Sequence, residues 1–464
     1  MSEAPVSTRL AGLAASLKYG DLPPEVVREA RRRLLDAMGC IIAGAGGEAV
    51  VKIREGALST GGAEQAAAAG APRRTSLDKA ALVNCSALRQ LDYMDGHPGP
   101  YPGHACFNIP PALAAAELAG ASGRDLIAGM VLGYEINIRL QMGAGDPDIT
   151  SHGWGPGSNL GISAAVAMAK LLGLTPEQMA NAIGIAASHS PVLDASSRDQ
   201  LPESKTCADG MAAASSAIAV LMAKAGLTGP PRVFEGEGGY RQAVAGRLDE
   251  ELLLAPFDRF RILDVYTKRY NAVKCAQTAV PAALDIASRL PHGWRDIETL
   301  TIGFPERDFQ QQSRDEASRR RPETRDTANH SAVYCVAVGL VDGDLGPRQF
   351  EPDRLHDPDV LSLVDRIKLE PRPELNQYWP AANPTHATAV ARSGETLEKE
   401  ILYSPGHAKN PLSDQELEAK FKGLTSGILS PAAMDEVIGL AARLEELPSV
   451  RSLGDVLMSV KPKE

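Results

Sequence analysis

A chain of 464 residues with 44% hydrophobic and 23% charged residues has the composition of a globular protein built as two domains, which excludes disorder. The formal net charge of −10 argues against nucleic acid or an anionic membrane as partner, and an anionic ligand would need a locally basic pocket. Residues Met1 to Leu10 lack a basic segment ahead of an apolar run, and no stretch reaches about 18 uninterrupted apolar residues, so a cytoplasmic location is expected.

In chain order, Pro24 opens a stretch in which Val26, Val27, Ala30, Leu34, Leu35, Met38, Ile41 and Ile42 recur at three-and-four spacing, which predicts an amphipathic helix to about residue 44. The segment Leu91–Asn108 then holds three prolines and three glycines, so neither a helix nor a strand fits it. It crowds Asp92, Asp95, His97, His104 and Asn108 into one loop, and the helix signals that resume at Pro110 set His104 and Asn108 near a helix N-terminus, a place that favours anions. The acids and histidines could be metal ligands or acid/base groups. Their spacing matches no metal motif, so a metal-free acid/base site is expected, with His104 as the base and His97, ahead of Pro98, in a surface turn.

Ala-rich stretches at 163–172, 176–188 and 208–225 have the small side chains that let helices approach closely. Lys205 precedes the last of them. A solvated lysine at a helix start is the ordinary reading, and a carboxylate-binding ammonium the functional one. After about residue 264 the texture changes. Lys268-Arg269-Tyr270-Asn271-Ala272-Val273-Lys274 is a basic cluster at the expected domain boundary, where a ligand cleft would lie. Leu300, Ile302 and Phe304 alternate as in a strand, and 387–392 with 396–403 flank Ser393-Gly394 as a hairpin would. Between them Tyr334 opens an apolar helix, as a core tyrosine or a proton donor. Ser430 and Pro431 start a last helix with Met434, Val437, Ile438, Ala441 and Leu444 on one face.

Six cysteines, none paired at zinc-finger or iron–sulfur spacing, are expected to be reduced and mostly buried. No Gly-x-Gly-x-x-Gly element follows a strand, no P-loop is present and no nucleophile elbow surrounds a serine, so no nucleotide cofactor and no serine hydrolysis are expected.

Several of these segments together resemble the MmgE/PrpD family over nearly the whole chain: Leu91-Asp-Tyr-Met-Asp95 with His104 to Asn108, Leu172-Gly-Leu-Thr-Pro-Glu-Gln178, Phe234-Glu-Gly-Glu-Gly-Gly-Tyr240, Lys268-Arg-Tyr-Asn-Ala272, and Arg325-Asp-Thr-Ala-Asn-His-Ser331 through Gly343. The resemblance implies a mainly α protein: a large all-helical domain built from both chain ends (1–264 and 406–464) around a smaller α+β lid domain (265–405), a homodimer, and a site between the domains that uses no metal and no cofactor. It carries active-site roles onto Asp92, His104, Lys205, Lys268 and Tyr334, with Asn108, His152, Arg269 and Cys275 as substrate-binding candidates. The family includes 2-methylcitrate dehydratase, cis-aconitate decarboxylase and iminodisuccinate epimerase. The implied function is a metal-independent lyase on a small di- or tricarboxylic acid. Elimination of water is the first reading, because Arg325–Ser331 and Gly339–Gly343 look most like the dehydratase branch. Decarboxylation, epimerisation or a non-catalytic binding role are the alternatives.

The chain also departs from the dehydratase pattern. His104 is followed by Ala105-Cys106-Phe107 where that pattern has Pro-Ser-Asp, and Cys275 and Gly155 stand where histidines are common, His152 being a possible substitute for the second. The expected substrate is therefore an acid other than the one ordinary methylcitrate dehydratases prefer.

Overall fold

Proline at the first helical position, with its fixed φ and missing N–H, starts the Pro24–Gly44 helix where the sequence pattern set it. The computed structural model describes residues 3–99, 101, 103–144, 148–197 and 201–461. Their contacts divide the chain into two units, Met1–Val265 with Ser413–Glu464, and Tyr266–Leu412.

The first unit is helical. Its centre is formed by Gly123–Ala144 and Gly157–Leu171, which are buried along almost their whole length; around them pack Ile109–Ala119, Pro176–His189 and Ala208–Lys224, with Leu77–Arg89 lying against the first and last of these. Small residues make this layering possible. At Gly210 a Cβ would come within 2.7 Å of the Leu82 carbonyl oxygen, so only glycine lets Ala208–Lys224 sit so close to Leu77–Arg89. The stretch Glu203–Lys224 is long and apolar enough to cross a membrane by length and composition, yet half of its apolar window is buried against neighbouring helices, as in a globular core. The return segment contributes Asp414–Thr425, opened by a Ser413–Glu416 capping box, and Pro431–Ala442, capped by Ser430, whose hydroxyl accepts from the Ala433 N–H at 3.2 Å. Val437, Ala441 and Leu444 lie in the core as the periodicity required.

The second unit is a four-stranded sheet, β1 (Ile297–Phe304), β2 (Ile367–Pro371), β3 (Thr385–Ala391) and β4 (Thr396–Ile401), in the order β2-β1-β3-β4. The expected strand and hairpin are present, β3 and β4 pairing antiparallel from Thr385↔Ile401 to Val390↔Thr396. Strand β2, parallel to β1, has too short an alternation to have been read from sequence. The helices Ala276–Ser288 and Ala332–Asp342 pack on each other and on the sheet, which gives this unit its own core.

The chain leaves this unit at residue 412, not 405. Thr267 N–H donates to the Gly406 carbonyl at 2.9 Å and His407 Nε2 lies 2.9 Å from the Ala381 carbonyl, so the turn after β4 is bonded into the second unit. Helix periodicity cannot reveal such bonds.

A buried ion pair fixes the end of the first unit's long N-terminal part. Glu135 is fully buried, accepts from Arg139 Nε at 3.2 Å and from the Arg261 backbone N–H, and Arg139 donates onward to the carbonyls of Leu253, Ala255 and Pro256. Burial lifts the Glu135 carboxyl from its ordinary 4.5 to about 7, against the pull of Arg139. A carboxyl raised on folding binds more protons in the native than in the unfolded state, so stability should fall as pH rises from about 4.5 to about 7 and level off above. Glu135→Gln should flatten that slope, removing a change on the order of 3 kcal/mol. Urea midpoints of the two proteins at pH 5, 6, 7 and 8 would show it.

Candidate functional site

The loop after Leu77–Arg89 is held from beneath by buried polar groups. Asp92 takes a left-handed backbone, φ 49°, a conformation that costs a non-glycine residue on the order of 1 kcal/mol, and its carboxylate meets Arg89 Nη1 at 3.3 Å. Lys420, from the return segment, donates from Nζ to the Tyr93 carbonyl at 2.9 Å, lies 4.2 Å from the centre of the Tyr93 ring and meets Asp36 Oδ1 at 2.6 Å. Asp95 is 1% exposed, accepts from the Tyr134 hydroxyl at 2.7 Å and from the Cys106 N–H at 3.3 Å, and faces Arg33 Nη1 at 3.8 Å. Burial pushes its carboxyl up, and Arg33 and Tyr134 pull it back. Asp95 is thus an anchor, and its backbone carbonyl holds the loop's candidate acid/base group.

That group is His104. Its Nδ1 lies 2.7 Å from the Asp95 backbone carbonyl, which can only accept, so Nδ1 carries the hydrogen and the neutral ring has its lone pair on Nε2. The ring is half-buried, and Phe107, 2% exposed, meets it edge-on with centroids 6.0 Å apart. An apolar wall therefore stands beside His104 where the dehydratase-like pattern has a carboxylate.

His97 corrects the expectation of a surface turn. It is 4% exposed, its backbone N–H donates to the Gly103 carbonyl at 2.8 Å, and Nδ1 pairs with Gln141 Oε1 at 3.0 Å. The proline-rich loop folds back on itself and seals the ring inside. Asn108 is fully buried, and its Nδ2 donates to the Ala105 carbonyl at 2.9 Å, closing the short turn between His104 and the Ile109–Ala119 helix.

Lys205 is not a solvated lysine. It lies in the 3-10 turn Glu203–Cys207, 7% exposed, and with Arg89 it acts on Asp209, whose carboxyl is pushed up by burial and pulled down first by Arg89 and then by Lys205. Asp92, Arg89, Asp209 and Lys205 thus form a run of alternating charge, and Asp92 and His104 share one loop. Sequence reasoning gave no site role to Arg89, Asp209, Arg33, Tyr134 or Lys420. Tyr134 and Lys420 lie in family-like segments, while Arg89, three residues before Asp92, and Asp209, four after Lys205, had a spacing that could have drawn attention. His152 is exposed at the end of the Ile149–His152 turn, its ring against Gly246, where a Cβ would collide with it.

Lys268, Arg269, Cys275 and Tyr334 belong to the second unit. The basic cluster is not a solvated face: Lys268 is 2% exposed, and its loop is clamped by Gln277, whose Oε1 accepts from the N–H groups of Arg269 and Tyr270 at 3.1 Å each. Arg269 is the more open member, stacked 5.1 Å over the Tyr270 ring and 3.5 Å from Asp344. Burial lowers the pKa of Lys274, Asp308 opposing it. Cys275 is 1% exposed in the core of the second unit, and burial raises its thiol far above the ordinary range. Tyr334 follows the core reading: fully buried, packed on Phe350, its hydroxyl donates to the Gln349 carbonyl at 3.0 Å. To give up a proton to substrate it would have to leave that bond.

Among the described residues no three His, Cys, Asp or Glu side chains gather as a metal would need. All six cysteines are free thiols, five of them buried.

Two family models match the chain, the MmgE/PrpD N-terminal domain over residues 8–252 and the MmgE/PrpD C-terminal domain over residues 270–445. Among curated relatives, a cis-aconitate decarboxylase of Mus musculus is 25% identical, covering 95% of this chain and 91% of its own length. The cis-aconitate decarboxylase-like protein oryM of Aspergillus oryzae is 26% identical, covering 97% of each chain. A cis-aconitate decarboxylase of Homo sapiens is also 26% identical, covering 97% of this chain and 93% of its own.

Proposed function

This chain belongs to the MmgE/PrpD family, and from that premise we propose that it is a lyase acting on a small di- or tricarboxylic acid. The observation that carries the reading is the bond from His104 Nδ1 to the Asp95 carbonyl, because it fixes the tautomer and aims Nε2 as the proton-transfer atom. Lys205 and Lys268 are assigned to substrate carboxylates, where buried ammonium groups stabilise charge that develops beside a carboxylate. Asp92 is assigned to the electrostatics of the same site through Arg89.

Decarboxylation of an unsaturated acid of the cis-aconitate type is the first assignment. A carboxylate leaves as carbon dioxide, its bonding electron pair stays on the carbon as a carbanion delocalised toward a neighbouring carboxylate, and imidazolium Nε2–H of His104 delivers the proton. The curated relatives named for that reaction support it. Phe107 supports it as well: a substrate hydroxyl that needed an acceptor beside His104 would find a ring instead, at a cost of roughly 1–3 kcal/mol. Dehydration is the second reading, favoured by Arg325–Ser331 and Gly339–Gly343, with neutral Nε2 removing the α-proton. A cytoplasmic homodimer that needs no metal completes the proposal.

The test is turnover of cis-aconitate, 2-methylcitrate, citrate and aminated dicarboxylates under one set of conditions, with and without EDTA. Carbon dioxide release from cis-aconitate, unchanged by EDTA, is the expected outcome. Turnover of 2-methylcitrate above all others would move the assignment to dehydration, and a thermal shift without conversion would make the chain a binding protein.

A further inference from the structure

Arg33 lies in the Pro24–Gly44 helix, about sixty residues before the site loop, and touches it and the far end of the helical unit at once. The residue is 4% exposed. Nη2 donates to the Val265 carbonyl at 2.8 Å, Nη1 stands 3.8 Å from Asp95 Oδ2, and Glu29 Oε1 pairs with Nη2 at 2.5 Å. Burial works against its charge, but Glu29 and Asp95 outweigh it and hold the guanidinium above its ordinary pKa. Val265 is the last residue of the first unit before the chain passes into the second. Asp95 is the residue whose carbonyl holds His104 Nδ1.

A planar guanidinium with five donors in fixed directions can serve a carbonyl and two carboxylates from one position, whereas an ammonium on a flexible stem reaches one of them. The other partners of the Asp95 carboxylate, the Tyr134 hydroxyl and the Cys106 N–H, hold it in place but do not reach residue 265. Arg33 thus bridges the site loop and residue 265 directly, through Asp95 on one side and the Val265 carbonyl on the other. We propose that Arg33 is a positioning residue that couples the loop aiming His104 to residue 265, where the chain leaves the helical unit. The proposal rests on the reading that His104 transfers the proton.

Two variants test it, Arg33→Lys and the isosteric Asp95→Asn, read by steady-state kinetics on cis-aconitate and by hydrogen exchange of the amides in 92–97 and 260–265. Misplacing a reacting group by about 1 Å from a distance costs on the order of 100-fold, so Arg33→Lys should lower kcat about 10- to 100-fold while KM stays within about 3-fold. Exchange should quicken in both segments together and not elsewhere in the unit. Asp95→Asn should quicken exchange at 260–265 as well, although Asp95 reaches residue 265 through Arg33, so the coupling can be read even if Arg33→Lys does not fold. Unchanged kcat in a folded Arg33→Lys protein, or faster exchange confined to one segment or spread over the whole unit, would overturn the proposal. If the parent protein converts none of the acids, the functional reading fails, and the paired exchange of the two segments still decides the coupling.

Discussion

Replacing His104 by glutamine should lower kcat about 10²- to 10⁴-fold, the range over which a positioned proton-transfer group contributes to catalysis. Glutamine can still place an amide N–H near the Asp95 carbonyl, so the loop should keep its shape and melting should change little. The ring it replaces is half-buried and packs edge-on to Phe107, which limits the packing loss. KM should move far less than kcat, because carboxylate binding is assigned to Lys205 and Lys268. Single-turnover measurement of product formation isolates the chemical step. A glutamine variant with kcat within 10-fold of the parent would mean that the proton moves through another group.

Replacing Lys420 by methionine should give the largest loss of stability. Its ammonium is almost wholly buried beside Asp36, 2.6 Å away, and Asp36 is only 3% exposed. Burial disfavours the charge, yet Asp36 more than compensates and raises the pKa of the lysine. Removing one partner of such a pair leaves the other charge buried, which costs about 3–5 kcal/mol. The lower end is expected here because Arg33 also acts on Asp36. The urea midpoint reports it. Changing both partners, Lys420→Met with Asp36→Leu, should restore most of that stability, since no orphaned charge remains. It should not restore activity, because the Tyr93 carbonyl in the site loop still lacks the donor that Lys420 supplies. Full recovery of activity in the double variant would show that the lysine matters only as a counter-charge.

Local order was readable wherever one element satisfies its own periodicity or cap. Pro24, Ser430 with Pro431, and the alternation of Leu300, Ile302 and Phe304 each marked an element that the structure contains. A proline-rich loop with two acids and two histidines was legible as a place where chemistry gathers, and the family motifs placed Asp92, His104 and Lys205 on the helical unit. The surroundings of that loop's members were not legible. His97, set by the sequence in a surface turn, is sealed against Gln141, while His104 is held by a backbone carbonyl with its ring half-open. The burial expected for the cysteines, and offered as one reading of Tyr334, is present in the second core, where residues far along the chain supply the walls.

By itself the sequence determined the class of the protein: helices from both chain ends, a smaller α+β segment between them in the chain, and the family to which it belongs. These follow from composition, local periodicity and ordered motifs, each a property of neighbouring residues. The tertiary structure alone decided which charges are buried and what they hold. Arg33, Asp36, Tyr134 and Lys420 come from segments up to 387 positions apart (Lys420 less Arg33), and they converge beneath Tyr93 and Asp95 because buried charges and carbonyls must find partners wherever the packed helices bring them. No spacing in the chain encodes such convergence, since it depends on how helices distant in sequence pack against one another.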